Sequence, residues 1–421
     1  MKNFKCPLSI ISLLFFLAAC TNDFDETQVI TEKSIYPNFA VISDIHIGRP
    51  DSKDKVIKTL NVISSRNPQL DAIFVVGDLT DTSKDSQYNG LIQIFSTYAS
   101  NLPVYYMLGN HDQLWTDGNP ETLYINKLKQ PLHQYIDIKG FPFITISLRG
   151  GGYTQEEIVF LSLSLEDASK KYPGLPIFVF AHIGVINTVY GTGQHEGWGS
   201  GTLAHVFEKY PQAILFSGHS HFPIGDPRSI HQESFTSVNL GSVTYSEIES
   251  GFSEGEHPPG NDEVTEGVIV AVKENLDFEI ERWNTYRNEE ILPRWVIKAP
   301  HNGSAFTYSN RNGGSAPFFK ENDIPIINDI TPNGCVISFP QAIDDEVVHH
   351  YIIDISNNSD QVYRSITIFS QFYLNSLMPT SLKTNIANLE PGTRYTVQIT
   401  AVDSYGNKSA KIKSTEFTTG L

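Results

Sequence analysis

The stretch Phe39-Ala40-Val41-Ile42-Ser43-Asp44-Ile45-His46 decides how this chain reads. A short β-prone apolar run ends in a turn that carries a carboxylate and an imidazole, and the same arrangement returns downstream. A run at 72–76 is followed by Gly77-Asp78, one at 104–108 by Gly109-Asn110-His111-Asp112, one at 177–181 by His182, and one at 213–217 by Gly218-His219-Ser220-His221. Another strand is expected at 143–147, and helical patterns at 53–65, 86–100, 155–171 and 201–209 separate the runs. Strands alternating with helices predict an α/β domain with parallel crossovers. Ligands of open α/β sheets gather beyond the carboxyl ends of the strands, so these turns converge on one rim. Strands expected at 234–238, 267–272 and 276–283 read as a second sheet closing the same domain.

A single Asp-x-His, or one buried histidine, is more often a satisfied polar residue than a ligand. Carboxylate, imidazole and amide placed in turn at successive strand ends are a different signal, that of a metal centre. A carboxylate such as Asp78 can bridge two cations about 3.5–4 Å apart, which clamp the attacking and leaving oxygens of a displacement and acidify a bridging water. Nitrogen and oxygen donors without a thiolate suit Mn, Fe or Zn. Gly77, Gly109 and Gly218 allow tight strand-to-loop turns before the ligands.

In order and spacing these residues resemble the calcineurin-like metallophosphoesterase superfamily, whose signature is D-x-H, G-D, G-N-H-[DE], H and G-H-x-H. The match spans about residues 39–283 and lacks no element. The resemblance implies a four-layer α/β/β/α sandwich holding two divalent or trivalent metal ions. One would be bound by Asp44, His46, Asp78 and His221, the other by Asp78, Asn110, His182 and His219. It further implies that Asn110 also meets substrate, that His111 protonates the leaving alkoxide or holds a phosphoryl oxygen, and that Asp112 orients His111. Purple acid phosphatases carry a tyrosine three residues after the G-D aspartate, where this chain has Asp81. Gly77-Asp78-Leu79-Thr80-Asp81 is closer to the cyclic-nucleotide phosphodiesterase branch.

Two segments outside the signature are candidates for the pocket. The glycine-rich loop 184–199, with His195 and Trp198, lies between ligand-bearing segments, and His195 is expected to meet substrate. Pro227-Arg228 would bring a guanidinium to phosphate, a geometry Arg suits.

After residue 213 the pattern changes to β alone, and from 323 to the end there is no helical period. A Gly/Ser/Asn-rich stretch over 301–315 introduces a region, 323–421, of short strands and turns that predicts an all-β sandwich. Asn388-Leu389-Glu390-Pro391-Gly392-Thr393-Arg394-Tyr395, followed by an apolar run at 397–402, resembles the E-to-F corner of a fibronectin type III domain, with Leu389 and Tyr395 packing the corner. The tryptophan common in that family's B strand is replaced in that area by Ile337 and Phe339.

At the other end, Lys2 and Lys5 precede a stretch at 8–19 too short to span a bilayer, which ends in Leu17-Ala18-Ala19-Cys20. This resembles the lipobox of bacterial lipoproteins, with Cys20 acylated. The expected division is a signal peptide at 1–20, a tether at 21–36, the phosphoesterase domain at 37–300, a linker at 301–322 and the sandwich at 323–421. With 30 basic against 47 acidic residues, the net charge of −17 disfavours a nucleic acid polymer as partner. Cys6, Cys20 and Cys335 form no CxxC pair, so neither a disulfide framework nor a cysteine zinc site is indicated. The expectation is an extracytoplasmic, lipid-anchored hydrolase of a small phosphate mono- or diester, a nucleotide among the candidates. The alternative is an adhesion lipoprotein with a vestigial metal site. Cys20→Ala is expected to abolish metabolic labelling with a palmitate analogue and to release the protein from the membrane fraction.

Overall fold

A computed structural model describes residues 34–67, 69–113, 118–194, 196–357 and 361–421. Cys20, the expected signal peptide, most of the tether and His195 lie outside the described residues. The order begins β1 (Asn38–Ile42), α1 (Ser52–Arg66), β2 (Ala72–Val76), α2 (Asp85–Tyr98), β3 (Val104–Met107) and α3 (Pro120–Leu128). It continues with β4 (His133–Ile138), β5 (Phe141–Ile146), α4 (Gln155–Lys171), β6 (Ile177–Ala181), α5 (Ala204–Phe207) and β7 (Ala213–Ser217). Next come β8 (Ile230–Gln232), β9 (Thr236–Asn239), β10 (Glu266–Val272), β11 (Phe278–Asn284) and β12 (Glu289–Ile297).

Two six-stranded sheets result, in the orders β12-β11-β10-β1-β2-β3 and β4-β5-β6-β7-β9-β8. Their inner strands are parallel, β1 to β2 to β3 and β5 to β6 to β7 to β9, and antiparallel strands complete each sheet. The two-residue strand period sorts the side chains. Phe39, Val41, Phe74, Phe143, Phe178, Phe180 and Phe216 point into one buried core between the sheets. Ala40, Ile42, Ile73 and Val75 point the other way, under Val56, Leu60, Leu91 and Phe95 of α1 and α2. On the far face, Ile144, Val179 and Leu215 meet Leu161, Leu165 and Ala168 of α4. The four expected layers are therefore present, helix, sheet, sheet, helix.

The strands expected to form a second sheet distribute differently. β9 continues the sheet of β7, whereas β10 and β11 extend the first sheet beside β1. β4, the hairpin partner of β5, escaped the sequence reading because its half-exposed edge lacks an apolar run. So did α3, although Asn119 caps it by accepting from the Thr122 amide at 2.7 Å and Pro120 opens it. The helix expected over 201–209 shrinks to α5. Ser200 instead donates to the Gly184 carbonyl and accepts from the Ile186 amide, which ties this stretch to the loop before it.

From residue 326 onward two further sheets face each other. One pairs β13 (Ile326–Thr331), β14 (Gly334–Pro340) and β17 (Ser381–Ala387). The other is built from β15 (Val348–Ser356), β16 (Val362–Phe369), β18 (Arg394–Asp403), β19 (Ile412–Lys413) and β20 (Phe417–Thr418). Ile337, Phe339, Tyr351, Ile353, Leu382 and Val397 fill the space between them. Leu389 and Tyr395 are buried at the expected corner, where the Tyr395 hydroxyl accepts from the Glu390 amide at 3.0 Å.

This sandwich is not a separate body. Phe369, Phe372 and Tyr373 share a buried cluster with Tyr190, Phe222, Ile248 and Val264 of the preceding α/β portion. Polar contacts reinforce it: Tyr190 Oη donates to Glu249 at 2.6 Å and lies 2.9 Å from His349 Nε2, and the Ser404 hydroxyl donates to Asp226 at 2.9 Å.

Phe39 lies edge-on to five other phenylalanines, with centroids 4.9–6.2 Å away. Phe39→Ala is expected to cost about 3–5 kcal/mol, measured as a lowered urea midpoint at unchanged m-value.

Candidate metal centre

Every signature residue lies just past the carboxyl end of a strand. Asp44 and His46 follow β1, Asp78 follows β2, Asn110 and His111 follow β3, His182 follows β6, and His219 and His221 follow β7. The turns after β1 and β2 are zipped together, His46 N donating to the Asp78 carbonyl at 2.9 Å and Asp44 N to the Gly77 carbonyl at 3.2 Å. Both sheets therefore contribute ligands along the edge where they meet.

To face one another these side chains need unusual backbone. Asp44, His46, Asp78, His219 and His221 all have positive φ, between 37° and 71°. Asp and His tolerate this region better than most residues, yet each such turn costs on the order of 1–3 kcal/mol. Two glycines are required for space. A Cβ on Gly109 would stand 2.1 Å from Asp78 Oδ1, and one on Gly218 would stand 1.9 Å from Ser43 Oγ and 2.3 Å from Asp44 Oδ2.

Ligand atoms of Asp44, His46, Asp78 and His221 come within 4.8 Å of one another, and those of Asp78, His182 and His219 form a second such group. Asp78 serves both: Oδ2 is 3.6 Å from His46 Nε2, while Oδ1 is 3.4 Å from His182 Nε2 and accepts from the His111 amide at 2.8 Å. His221 Nε2 lies 3.1 Å from Asp44 Oδ1. Asn110 Oδ1 joins the second group, 3.0 Å from His182 Nε2.

The site fits a metal on its own geometry. His182 Nδ1 donates to the Val76 carbonyl at 2.8 Å and His221 Nδ1 to the Tyr245 carbonyl at 3.2 Å, which fixes both tautomers and presents Nε2 to the cluster. Asp44 Oδ1 is buried and, among the described residues, faces the two ligand imidazoles His221 and His182 and no other donor. Two imidazole Nε2 atoms, of His46 and His221, face each other at 3.3 Å, an approach a shared cation explains.

The charges act on one another at short range. Burial alone would raise the Asp44 carboxyl, but His221 and His182 hold it down at about 2. Asp78 is likewise held well below the usual carboxylate range, His182 and His46 outweighing burial. His182 moves up to about 9, Asp78 and Asp44 overcoming burial, and His219 is pressed down to about 3 by burial and by its neighbour His182.

Two expected roles change. Asp112 does not orient His111 in this structure. Its oxygens accept from the amides of Leu79, Thr80 and Gly109 and from the Thr80 hydroxyl, at 2.8–3.0 Å, so it clamps the turns after β2 and β3 together. The residue facing His111 is Asp81, whose carbonyl accepts from His111 Nδ1 at 3.0 Å and whose Oδ1 lies 3.8 Å from that nitrogen and 3.7 Å from His46 Nδ1. Its position in the Gly77–Asp81 run was the available signal. Arg228 is likewise engaged elsewhere, bound through Nε and Nη2 to Asp226 at 2.9 and 2.8 Å and lying 4.0 Å over the Tyr190 ring. Asp226 neutralises the charge expected to meet phosphate. Trp198 of the 184–199 loop stands edge-on to His219 at 5.2 Å, at the rim of the second group. Tyr245, which sequence reasoning missed, packs 4.4 Å from the His221 ring.

Gly109→Ala should reduce bound metal measured by elemental analysis, because the new methyl displaces the Asp78 carboxylate. The far-UV circular dichroism spectrum should not change.

The model of the calcineurin-like phosphoesterase family matches residues 37–223. No curated relative matches the chain. Among solved structures, purple acid phosphatase PPD1 from yellow lupin seeds is 18% identical, with a TM-score of 0.47 over 62% of this chain and 53% of its own. GAP50, described as the anchor in the inner membrane complex of Plasmodium, is 14% identical, with a TM-score of 0.44 over 65% of this chain and 91% of its own. The chicken CNTN1 FN1-FN3 domains are 15% identical, with a TM-score of 0.21 over 38% of this chain and 44% of their own. With every signature turn present in sequence, residues 37–223 form a calcineurin-like phosphoesterase domain.

Proposed function

We propose that this chain is a dinuclear phosphoric ester hydrolase acting on a small phosphate mono- or diester. We further propose that it works outside the cytoplasm, held to a membrane by a lipid on Cys20. The observation that carries the catalytic reading is the division of the Asp78 carboxylate, one oxygen toward His46 and the other toward His182. Asp44, His46, Asp78 and His221 would hold one ion, and Asp78, Asn110, His182 and His219 the other. When bound, the pair supplies a nucleophilic hydroxide at neutral pH and offsets charge on the phosphoryl oxygens.

The remaining work falls to the protein. His111 is 22% exposed in its side chain, against 5% or less for His46, His182 and His221. It is therefore the most accessible of these four imidazoles to a substrate. Its ring stands edge-on to His46 at 4.5 Å, with Nδ1 held by the Asp81 carbonyl. In that pose the ring, when protonated at both nitrogens, would give its Nε2 proton to the leaving oxygen and be left neutral with Nδ1 still donating to Asp81. Asp81 steadies both imidazoles, the position from which a carboxylate raises ligand basicity. The N-terminal anchor is supported by Leu17-Ala18-Ala19-Cys20 at the end of a short apolar stretch.

Asp78→Ala should lower metal content at both sites, read by elemental analysis. Loss of one equivalent or none sinks the bridging role. His111→Ala should keep its metal yet slow turnover of alkyl esters by about 10²- to 10⁴-fold, with a much smaller loss on nitrophenyl esters, whose leaving group needs no proton. Equal losses on both substrates would assign His111 to positioning instead.

A further inference from the structure

A cavity of about 620 Å³ opens beside the metal cluster, with Arg49, Lys55, Lys58, Thr244, Tyr245 and Tyr286 in its wall. Three of these residues are one contact from a metal-ligand residue. The Arg49 amide donates to the His46 carbonyl at 3.1 Å, the Thr244 hydroxyl donates to the Asp44 carbonyl at 3.0 Å, and Tyr245 packs on His221. Neither this cavity nor a larger one of about 720 Å³, at Tyr190, Arg228, Tyr308, Arg311 and Tyr405, has a clustered Asp or His in its wall, and it is the smaller one whose wall makes these contacts with ligand residues. The smaller space is the one a substrate in the metal site would extend into.

Its chemistry narrows the occupant. Arg49 is positioned by Tyr245, with Nη1 donating to the hydroxyl at 3.1 Å and the guanidinium lying 4.2 Å over the ring. Neither contact neutralises it, so its charge and remaining donors suit a phosphate. Elsewhere in the wall, half-buried Lys55, which donates to the Thr244 carbonyl, and exposed Lys58 alternate with the exposed carboxylates of Asp51, Asp54, Asp262 and Glu263. An alkyl group would strip water from these charges without replacing its hydrogen bonds. Arg287 pairs with Glu263 at 2.9 Å, and a second polyanion would meet the carboxylates of Asp51, Asp54 and Asp262, which Lys55 and Lys58 only partly offset. A flat base would find Tyr245 already covered by Arg49 and Tyr286 by Lys58, whose Nζ lies 4.2 Å from the ring centre. Hydroxyls both donate and accept, and they satisfy carboxylates and ammonium groups alike.

We propose that this cavity receives the alcohol half of the substrate, that this alcohol is a polyol, and that Arg49 holds the phosphate at the cavity mouth. The proposal rests on the phosphoesterase reading. Calorimetric titration of a hexose 6-phosphate and of hexyl phosphate, probes of equal charge, into the metal-free protein tests it. The hexose phosphate should bind at least about tenfold tighter. Arg49→Ala should weaken both probes by about tenfold or more, and Arg49→Lys should recover part of the loss. The Asp54→Ala, Lys58→Ala double variant alters two exposed side chains and should weaken the hexose phosphate alone. Equal affinity for the two probes, or a preference that survives the double variant, overturns the proposal. Turnover of the same probes by manganese-loaded protein separates the two levels. Selective binding with no ester cleaved removes the hydrolase reading and leaves the polyol pocket standing, whereas cleavage without selectivity removes only the pocket.

Discussion

The arrangement of this centre depends on one buried carboxylate. Asp78 is inaccessible, stands in a left-handed turn, and faces an imidazole from each sheet. An isolated ionised carboxylate in such a place would be strongly disfavoured by lost hydration. It is tolerated because His182 and His46 oppose its charge and the His111 amide donates to it. The same crowding of charge makes a cation the natural completion of the site.

Strain at the rim is offset by order behind it. Five signature residues with positive φ are energetically costly, and such turns persist only where the surroundings over-determine them. Here they do. β2, β6 and β7 are fully buried and β1 is buried beyond Asn38, their phenylalanines interlock between the sheets, and Asp112 ties the turns after β2 and β3 with four hydrogen bonds. Gly109 and Gly218 matter less for their torsions than for a missing Cβ where Asp78 and Asp44 must pass.

The C-terminal sandwich reaches this centre through one segment. Tyr245 packs on His221, the Glu247 amide donates to the His221 carbonyl at 3.1 Å, and Glu249 meets His349 of the sandwich at 3.4 Å. Burial would raise Glu249, but His349 and Arg228 bring it to about 2, so it stays ionised between the two portions. Arg228, Asp226, Tyr190 and Ser404 extend that polar contact, and Phe252 stacks on Phe369 at 3.9 Å. The wall of the metal site is thus braced from the sandwich side as well as from its own sheet.

Much of this was legible in the chain itself. Alternating apolar runs and helical periods specify layers, because burial sorts side chains by a period of two in strands and 3.6 in helices. The ligand types stood out because they recur directly after those runs. Edge features were not legible: β4 is half exposed and α3 is short, so neither leaves an apolar pattern. Partner choice was equally hidden. The G-N-H-D run suggests that Asp112 serves its neighbour His111, whereas only the folded turns show three amides and a hydroxyl already pointing at Asp112 and Asp81 standing beside the imidazole. Arg228 looked available for phosphate until folding placed it against Asp226 and Tyr190. By itself the sequence determined which residues carry the chemistry and which strand each one follows, since those depend on local pattern. Tertiary structure alone decided which carboxylate faces which imidazole, because those distances are set by two sheets meeting at an edge across as many as 177 positions of chain.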